Sequence, residues 1–201
     1  AALPSAAAPR AAPVGGGGGR AAGGGRPRPR PPPDGDVLFD VSFRDAEFEV
    51  VETRGLATHV LTLGAAAEAL LMLGLCQRAM ELASEYSKGR IAFGQPIGSF
   101  QAISHKCANM AVDIEVGRYL CYKAAWLHGT GEPYEMAARY AKAFMGEATA
   151  RITRDAIQVH GGVGYIDDHF VLFPYRLGTA AAGMYGAAHE HRRAVADAVL
   201  A

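Results

Sequence analysis

Cysteine is scarce in this chain, and its spacing excludes two kinds of site. The 201 residues contain three cysteines, Cys76, Cys107 and Cys121, and no two of them form a C-x-x-C pair. An odd number of widely separated cysteines does not suit a disulfide framework or a thiolate zinc site. We therefore interpret them as small buried residues of a reducing compartment, which favours a cytoplasmic protein.

Motifs for metal binding and for nucleophilic catalysis are also missing. No Glu-x-x-His pair occurs, although di-iron helix bundles are built on such pairs. In the string "HEH", His189 and His191 would point to nearly opposite sides of a helix, so we interpret them as surface histidines. No G-x-S-x-G elbow occurs, and no cysteine has a recognisable base partner. The sequence predicts no metal site.

Long apolar runs and a strong net charge are absent as well. The most apolar stretch, "LGAAAEALLMLGLC", is interrupted by Glu68 and is shorter than the roughly 20 residues that span a bilayer. We therefore predict no membrane span. The formal net charge is zero, which gives no argument for a nucleic-acid partner.

The first 57 residues differ from the rest in composition. Residues 1–33 contain no acidic residue and five arginines among many alanines, glycines and prolines, so residues 1–35 are predicted to be disordered. A transit peptide, a basic tail and a functionless extension or fragment edge remain open for this segment, which does not begin with Met. Residues 36–57 alternate aromatic and β-branched residues with polar ones, which predicts a short β remnant of a larger sheet domain.

From residue 58 to residue 201 the pattern is helical. Long helical segments end at Gly89, at the "HGTGEP" break and at Gly161, and a last segment is interrupted near Pro174 and at later glycines. These lengths and short breaks predict an all-α fold, an antiparallel four-helix bundle. The predicted core face of the first helix consists of Leu71, Leu75, Ala79, Leu82 and Tyr86.

Two segments between the helices contain more charged, amide and glycine residues than an ordinary connector needs. "GRIAFGQPIGSFQAISHK" places Arg90 and Gln101 around a Gly/Pro turn, and "QVHGGVGYID" places three glycines after a helix. A G-x-G string that follows a helix and no strand does not predict a Rossmann loop. Glycines do allow a backbone to approach a ligand closely, so we consider a shared ligand for both segments.

With their flanks, "YSKGRIAFGQPIGSFQAISHKCANMAVDIEVGR" and "RDAIQVHGGVGYIDDHFVLFPYR", these segments resemble the C-terminal helical domain of the acyl-CoA dehydrogenases over roughly residues 36–201. That resemblance implies FAD as cofactor and an acyl-CoA thioester as substrate, from which a base takes the α-proton and FAD takes the β-hydride. It also implies a homo- or hetero-oligomer and an electron-transfer partner. The resemblance further implies FAD contacts from Arg90, Phe93, Phe100, Gln101, Gln158, Gly161 and Gly162. Core packing remains an alternative for the two phenylalanines.

The resemblance fails at the catalytic base. Some family members carry the catalytic Glu directly after a Tyr, in a Y-E-G-T stretch. The corresponding stretch here is "MYGAAHEH", which has Gly186 at that position. Other members carry the Glu on the first helix, where this chain has Gly64. Glycine cannot accept a proton. Glu190 and Glu68 lie four residues after these positions and are candidates for a displaced base, or else ordinary helix glutamates.

The sequence thus predicts a subunit or fragment of an FAD-dependent acyl-CoA dehydrogenase that works within an oligomer. A non-catalytic helical partner subunit, which contributes an interface and FAD contacts, is the alternative because the usual glutamate is absent. A mixed assembly, in which another subunit supplies the base, would accommodate both observations.

Overall fold

The computed structural model describes residues 28–30, 38–40, 55–166 and 169–201. The chain divides into two compact units, residues 1–51 and 52–201. In the first unit, strand β1 (Arg28–Arg30) pairs antiparallel with strand β2 (Leu38–Asp40). Strand β2 lies in the segment predicted as a β remnant, and β1 lies in the segment predicted to be disordered. The remainder of both segments lies outside the described residues.

The second unit is helical. Its described residues form α1 (Leu56–Gly89), α2 (Gln101–Thr130), α3 (Glu135–His160), α4 (Leu172–Gly183) and α5 (Ala188–Leu200). Strands β3 (Ile91–Ala92) and β4 (Gln95–Pro96) and two 3₁₀ turns, Ile97–Ser99 and Gly161–Tyr165, connect them. Helix α3 packs against each of the other four helices. The predicted all-α bundle is confirmed, with its fourth element divided into α4 and α5.

The core between α1 and α3 is built mainly from small side chains. The predicted core residue Leu71 is 43% exposed, so this part of the predicted face was wrong. Small residues at helical spacing let the backbones of α1 and α3 approach closely. A core face predicted from large apolar residues does not include these alanines. Leu75 and Ala79 are buried as predicted, and the buried stripe of α1 also includes Ala65, Ala69, Met72, Cys76 and Ala83.

Of the interruptions predicted for the last helical segment, the one at the later glycines is present and the one near Pro174 is not. Pro174 is buried in the first turn of α4, where its missing N–H costs no intrahelical hydrogen bond. The helix continues to Gly183, and the break falls at residues 184–187. Tyr185 and Gly186 have positive φ angles of 52° and 100°, which a helix cannot accommodate.

The apolar stretch "LGAAAEALLMLGLC" lies within α1, which is longer than that stretch. The helix runs through Glu68 without interruption, and by length and composition alone it could cross a membrane. The buried central helix of a bundle passes the same test. Buried residues recur along α1 from Ala65 to Ser87, and this helix packs against α3.

The three cysteines lie in helices as free thiols. Cys76 and Cys121 are buried, and burial raises the pKa of the Cys76 thiol to about 11 and that of the Cys121 thiol to about 12. Thiols that stay protonated are poor nucleophiles and poor metal ligands. Cys107 is partly buried, and the interpretation of the cysteines as small packing residues holds best for the other two.

Candidate functional site

The loop between α1 and α2, residues 90–100, is a small β-hairpin followed by a 3₁₀ turn; we call it the arginine loop. The hairpin pairs Ile91 with Pro96 and Ala92 with Gln95. Its two turn residues, Phe93 and Gly94, have φ angles of 53° and 82°, as a type I′ turn requires. A phenylalanine in the left-handed region is unusual, and such strain tends to persist at functional sites.

The arginine loop presents its side chains outward. Phe93 is 96% exposed, so core packing does not explain this residue. Phe100 is partly buried and meets Phe93 edge to face, with ring centroids 6.1 Å apart. Arg90 and Gln101 are exposed, and in the described part of the chain no hydrogen bond or ion pair engages the Arg90 guanidinium. A free guanidinium beside an exposed aromatic ring suits an aromatic ligand that carries phosphate.

The second predicted segment, residues 158–167, starts in the last turn of α3 and continues in the 3₁₀ turn Gly161–Tyr165, which we call the glycine turn. Residue 167 lies outside the described residues. Gly161 has φ 62°, and its N–H caps α3 by donating to the carbonyl of Gln158. A Cβ added at Gly161 or at Gly162 would meet no atom within 4 Å, so the backbone here is open on its outer side. The side chain of Gln158 is exposed. The open backbone leaves room for a ligand against its amide groups.

The two positions at which a catalytic glutamate was sought meet in space. A Cβ on Gly64, in α1, would lie 2.3 Å from Cδ1 of Tyr185. The Tyr185 ring therefore fills the place that a side chain at position 64 would need. No residue larger than glycine fits there unless Tyr185 moves, because real Cβ atoms do not approach other heavy atoms so closely.

A histidine side chain fills the space beside Gly186. A Cβ on Gly186 would lie 2.8 Å from Nε2 of His191, and its φ of 100° already disfavours any side chain. His191 donates from Nε2 to the Tyr185 carbonyl at 3.0 Å. The prediction of a surface histidine was wrong for this residue, which is 7% exposed, because the face of α5 that carries it packs inward. Burial, with the nearby charges of Lys142 and Arg139, lowers its pKa.

The two candidate bases differ in their surroundings. The Glu190 carboxylate accepts a hydrogen bond from the Ala187 backbone N–H at 2.7 Å, so it caps α5. The Glu68 side chain is partly buried, and burial raises its pKa while the charge of Lys142 lowers it. In the described part of the chain no hydrogen bond engages the Glu68 carboxylate. Of the two, Glu190 is already used as a helix cap, so Glu68 is the candidate whose carboxylate is available.

Lys142 is the residue of this region that the sequence reading missed. It is completely buried, and its Nζ donates to the carbonyls of Ala181 (3.1 Å) and Ala182 (2.9 Å) at the end of α4. Burial lowers its pKa to about 8, and Glu68 and Glu190 oppose that shift. Lys142 lies in register with the buried Ala138 and Met145, a helical spacing that could have identified it.

Comparisons with known proteins agree with this architecture. Residues 54–200 match the family model described as "Acyl-CoA dehydrogenase, C-terminal domain". The chain is 42% identical over 121 residues to a probable acyl-CoA dehydrogenase of Bacillus subtilis, YngJ, which covers 59% of this chain and 32% of that protein.

Two solved structures resemble the chain closely. Butyryl-CoA dehydrogenase of Megasphaera elsdenii superposes with a TM-score of 0.80 at 28% identity, over 87% of this chain and 48% of the other. A chain from a study of the electron transferring flavoprotein of Acidaminococcus fermentans gives a TM-score of 0.82 at 31% identity, over 90% and 50%. The chain thus spans a third to a half of the length of these relatives. Because the family model covers most of its residues, this chain belongs to the acyl-CoA dehydrogenase family, whose C-terminal domain it contains.

Proposed function

We propose that this chain is a subunit or part of an FAD-dependent acyl-CoA dehydrogenase and that it contributes FAD contacts within an oligomer. The acyl-CoA dehydrogenases are FAD-dependent oxidoreductases, and the chain belongs to that family. The main support for the proposal is that the arginine loop and the glycine turn, whose sequences resemble those of the family, are both exposed to solvent. The guanidinium of Arg90 has no partner among the described residues, and the backbone at Gly161 and Gly162 is uncovered.

The residues of both segments fit a dinucleotide. Arg90 would bind the diphosphate through its planar fork, and Phe93 would pack against the adenosine half. Phe100 and Gln101 would line the same groove at the start of α2. Gln158 would approach the dinucleotide with its amide side chain, and Gly161 and Gly162 with backbone that no side chain covers. Bound FAD supplies the hydride acceptor for the α,β-dehydrogenation of an acyl-CoA thioester.

The α-proton needs a base that the two usual positions do not supply. Tyr185 and His191 close Gly64 and Gly186, so the glycines fit their surroundings and a glutamate would not. Glu68 stays a candidate because its partly buried carboxylate has a raised pKa. Another subunit is the second possible source, which would place this chain in a mixed assembly.

The outer face of α2 supports an oligomer. Five large apolar or aromatic residues recur along this helix at spacings of three and four and are 43–74% exposed. Contiguous apolar surface of this kind marks an interface with another protein. We propose that a second subunit of the same family covers it. The residues are Val112, Val116, Tyr119, Tyr122 and Trp126.

The alternative function is a non-catalytic helical partner subunit. The closed glycine positions favour it, because a chain without a base would still provide an interface and FAD contacts. Acyl-CoA as substrate, an electron-transfer partner and a cytoplasmic location belong to the catalytic proposal and stay predictions for this chain.

One experiment separates the two functions. The chain is co-expressed with a full-length acyl-CoA dehydrogenase, purified as a complex and titrated anaerobically with acyl-CoA while flavin absorbance is recorded. Flavin that is bound and bleached supports the catalytic proposal, and bound flavin that does not bleach supports the partner function. Absence of flavin from every assembly contradicts both. If bleaching occurs, loss of bleaching in Glu68→Gln but not in Glu190→Gln identifies Glu68 as the base.

A further inference from the structure

A stack of rings joins the two segments that are proposed to face the flavin. The backbone N–H of Arg90 donates to the carbonyl of Tyr86 at 2.9 Å, in the last turn of α1. The Tyr86 ring stacks on His160, with centroids 4.5 Å apart and an interplanar angle of 28°. His160 directly precedes Gly161. Each of the two segments thus begins where a helix that carries one member of the Tyr86–His160 stack ends.

The surroundings of His160 favour the neutral form of its ring. The side chain is 5% exposed, and Nδ1 donates to the Ala156 carbonyl at 2.7 Å, which leaves the lone pair of the neutral ring on Nε2. Burial is the main cause that lowers the pKa of His160, and the neighbouring His169 lowers it further. The folded chain therefore favours the neutral imidazole.

His169 completes the arrangement from the other side of the glycine turn. Its ring meets His160 with centroids 4.9 Å apart at 68°, and its Nδ1 accepts a hydrogen bond from the Val171 N–H at 3.3 Å. Among the described residues, Tyr86 and His169 are the titratable groups in ring contact with His160, and no carboxylate is positioned to neutralise an imidazolium.

We propose that the Tyr86–His160 stack positions the arginine loop and the glycine turn relative to each other, and that protonation of His160 uncouples them so that flavin affinity falls in mild acid. This inference rests on the proposed function, because the affinity concerned is that for FAD. Tyr86 and His160 act through the loops that they anchor, so both are positioning residues.

The direction of the pH effect follows from the lowered pKa. An unperturbed histidine titrates near pH 6.5, so the unfolded chain, or an opened glycine turn, takes up the proton first as the pH falls. The stacked state is fully favoured above about pH 6.5 and loses stability as the pH falls through the lowered pKa of His160. The loss thus begins below about pH 6.5.

The test compares variants of the stack in the flavin-loaded complex with a full-length partner. His160→Phe keeps a stacking ring that cannot be protonated, His160→Ala removes the ring, and His189→Gln changes an exposed histidine of α5. From pH 7.5 to pH 5.5 the FAD dissociation constant should rise about fivefold or more in the wild type and in His189→Gln. It should stay constant in His160→Phe. His160→Ala should bind FAD more weakly at both pH values.

A second measurement does not depend on flavin. In NMR spectra of the full chain alone, the amide signals of Gly161 and Gly162 should shift with the titration of His160, at a midpoint below about 6.5. They should not shift in His160→Phe. The inference would be overturned if these amide signals did not change as His160 titrates. It would also be overturned if His160→Phe lost as much FAD affinity in acid as the wild type does. If no assembly binds FAD, the proposed function fails, and the amide titration still decides whether the stack couples to the turn.

Discussion

Glycines occupy two regions of this bundle for opposite reasons. At the glycine turn, a Cβ on Gly161 or Gly162 would meet nothing, so the backbone is open to a ligand. Beneath the α4–α5 connection, a Cβ on Gly64 or Gly186 would strike Tyr185 or His191, so the backbone is already covered by the chain's own side chains. The backbone proposed to face the cofactor is open, and the backbone at the two usual positions of the base is covered. The chain's own side chains therefore fill the places that a glutamate at position 64 or 186 would need.

The largest effect should come from removing the residue that holds the closed region together. Lys142→Met should lower the free energy of unfolding by about 3 kcal/mol, because it leaves the buried carbonyls of Ala181 and Ala182 without a donor. Urea denaturation at pH 7 measures this change. Lys123→Met, at an exposed position of α2, is the control and should change stability by less than about 0.5 kcal/mol. Equal effects of the two variants would show that the buried lysine is not structural.

A smaller effect should follow from filling one closed glycine. Gly64→Ala should lower the free energy of unfolding by about 2 kcal/mol, because its Cβ would overlap the Tyr185 ring. Gly74 lies in the same helix with nothing within 4 Å of an added Cβ, and Gly74→Ala should stabilise the chain by about 0.5–1 kcal/mol. In a Tyr185→Ala background, Gly64→Ala should no longer destabilise. A cost that persists without the ring would mean that Tyr185 is not the obstacle.

Two neighbouring glycines of the turn should respond differently. A Cβ on Gly164 would lie 2.8 Å from the Ile157 carbonyl oxygen, so Gly164→Ala should lower the free energy of unfolding by about 1–2 kcal/mol. Gly162→Ala should leave stability within about 0.5 kcal/mol but weaken FAD binding several-fold, because the methyl group enters the open side. Denaturation and flavin titration together test the pair. Unchanged FAD binding in Gly162→Ala would remove the turn from the flavin site.

The smallest effect on stability should come from the arginine loop. Arg90→Lys should weaken FAD binding about tenfold, because a lysine lacks the planar fork that binds two phosphate oxygens. Its free energy of unfolding should not change, since the side chain is exposed and has no partner among the described residues. Arg193→Lys, on the exposed side of α5, should affect neither quantity. Equal FAD affinity in both variants would exclude Arg90 as a phosphate ligand.

The sequence predicted the helices better than it predicted their faces. Gly89 and Gly161 end α1 and α3 as expected, because a glycine after a helical pattern is a strong local stop signal. Leu71 was assigned to the core and is exposed, whereas the buried stripe of α1 is rich in alanine. Periodicity locates an amphipathic helix, but which face is covered depends on the neighbours that pack against it.

Local patterns and residue identity were sufficient to predict the helical bundle, the two glycine-containing segments and the absence of a glutamate at both usual positions. Which side chains occupy the place of that glutamate follows only from the packing of the helices. Gly64 and Lys142, from α1 and α3, meet the end of α4 and its connection to α5, and no local spacing relates these two residues to Tyr185, which lies more than 40 positions further along the chain. The burial of Lys142 and the steric closure of Gly64 exist only once these helices are packed.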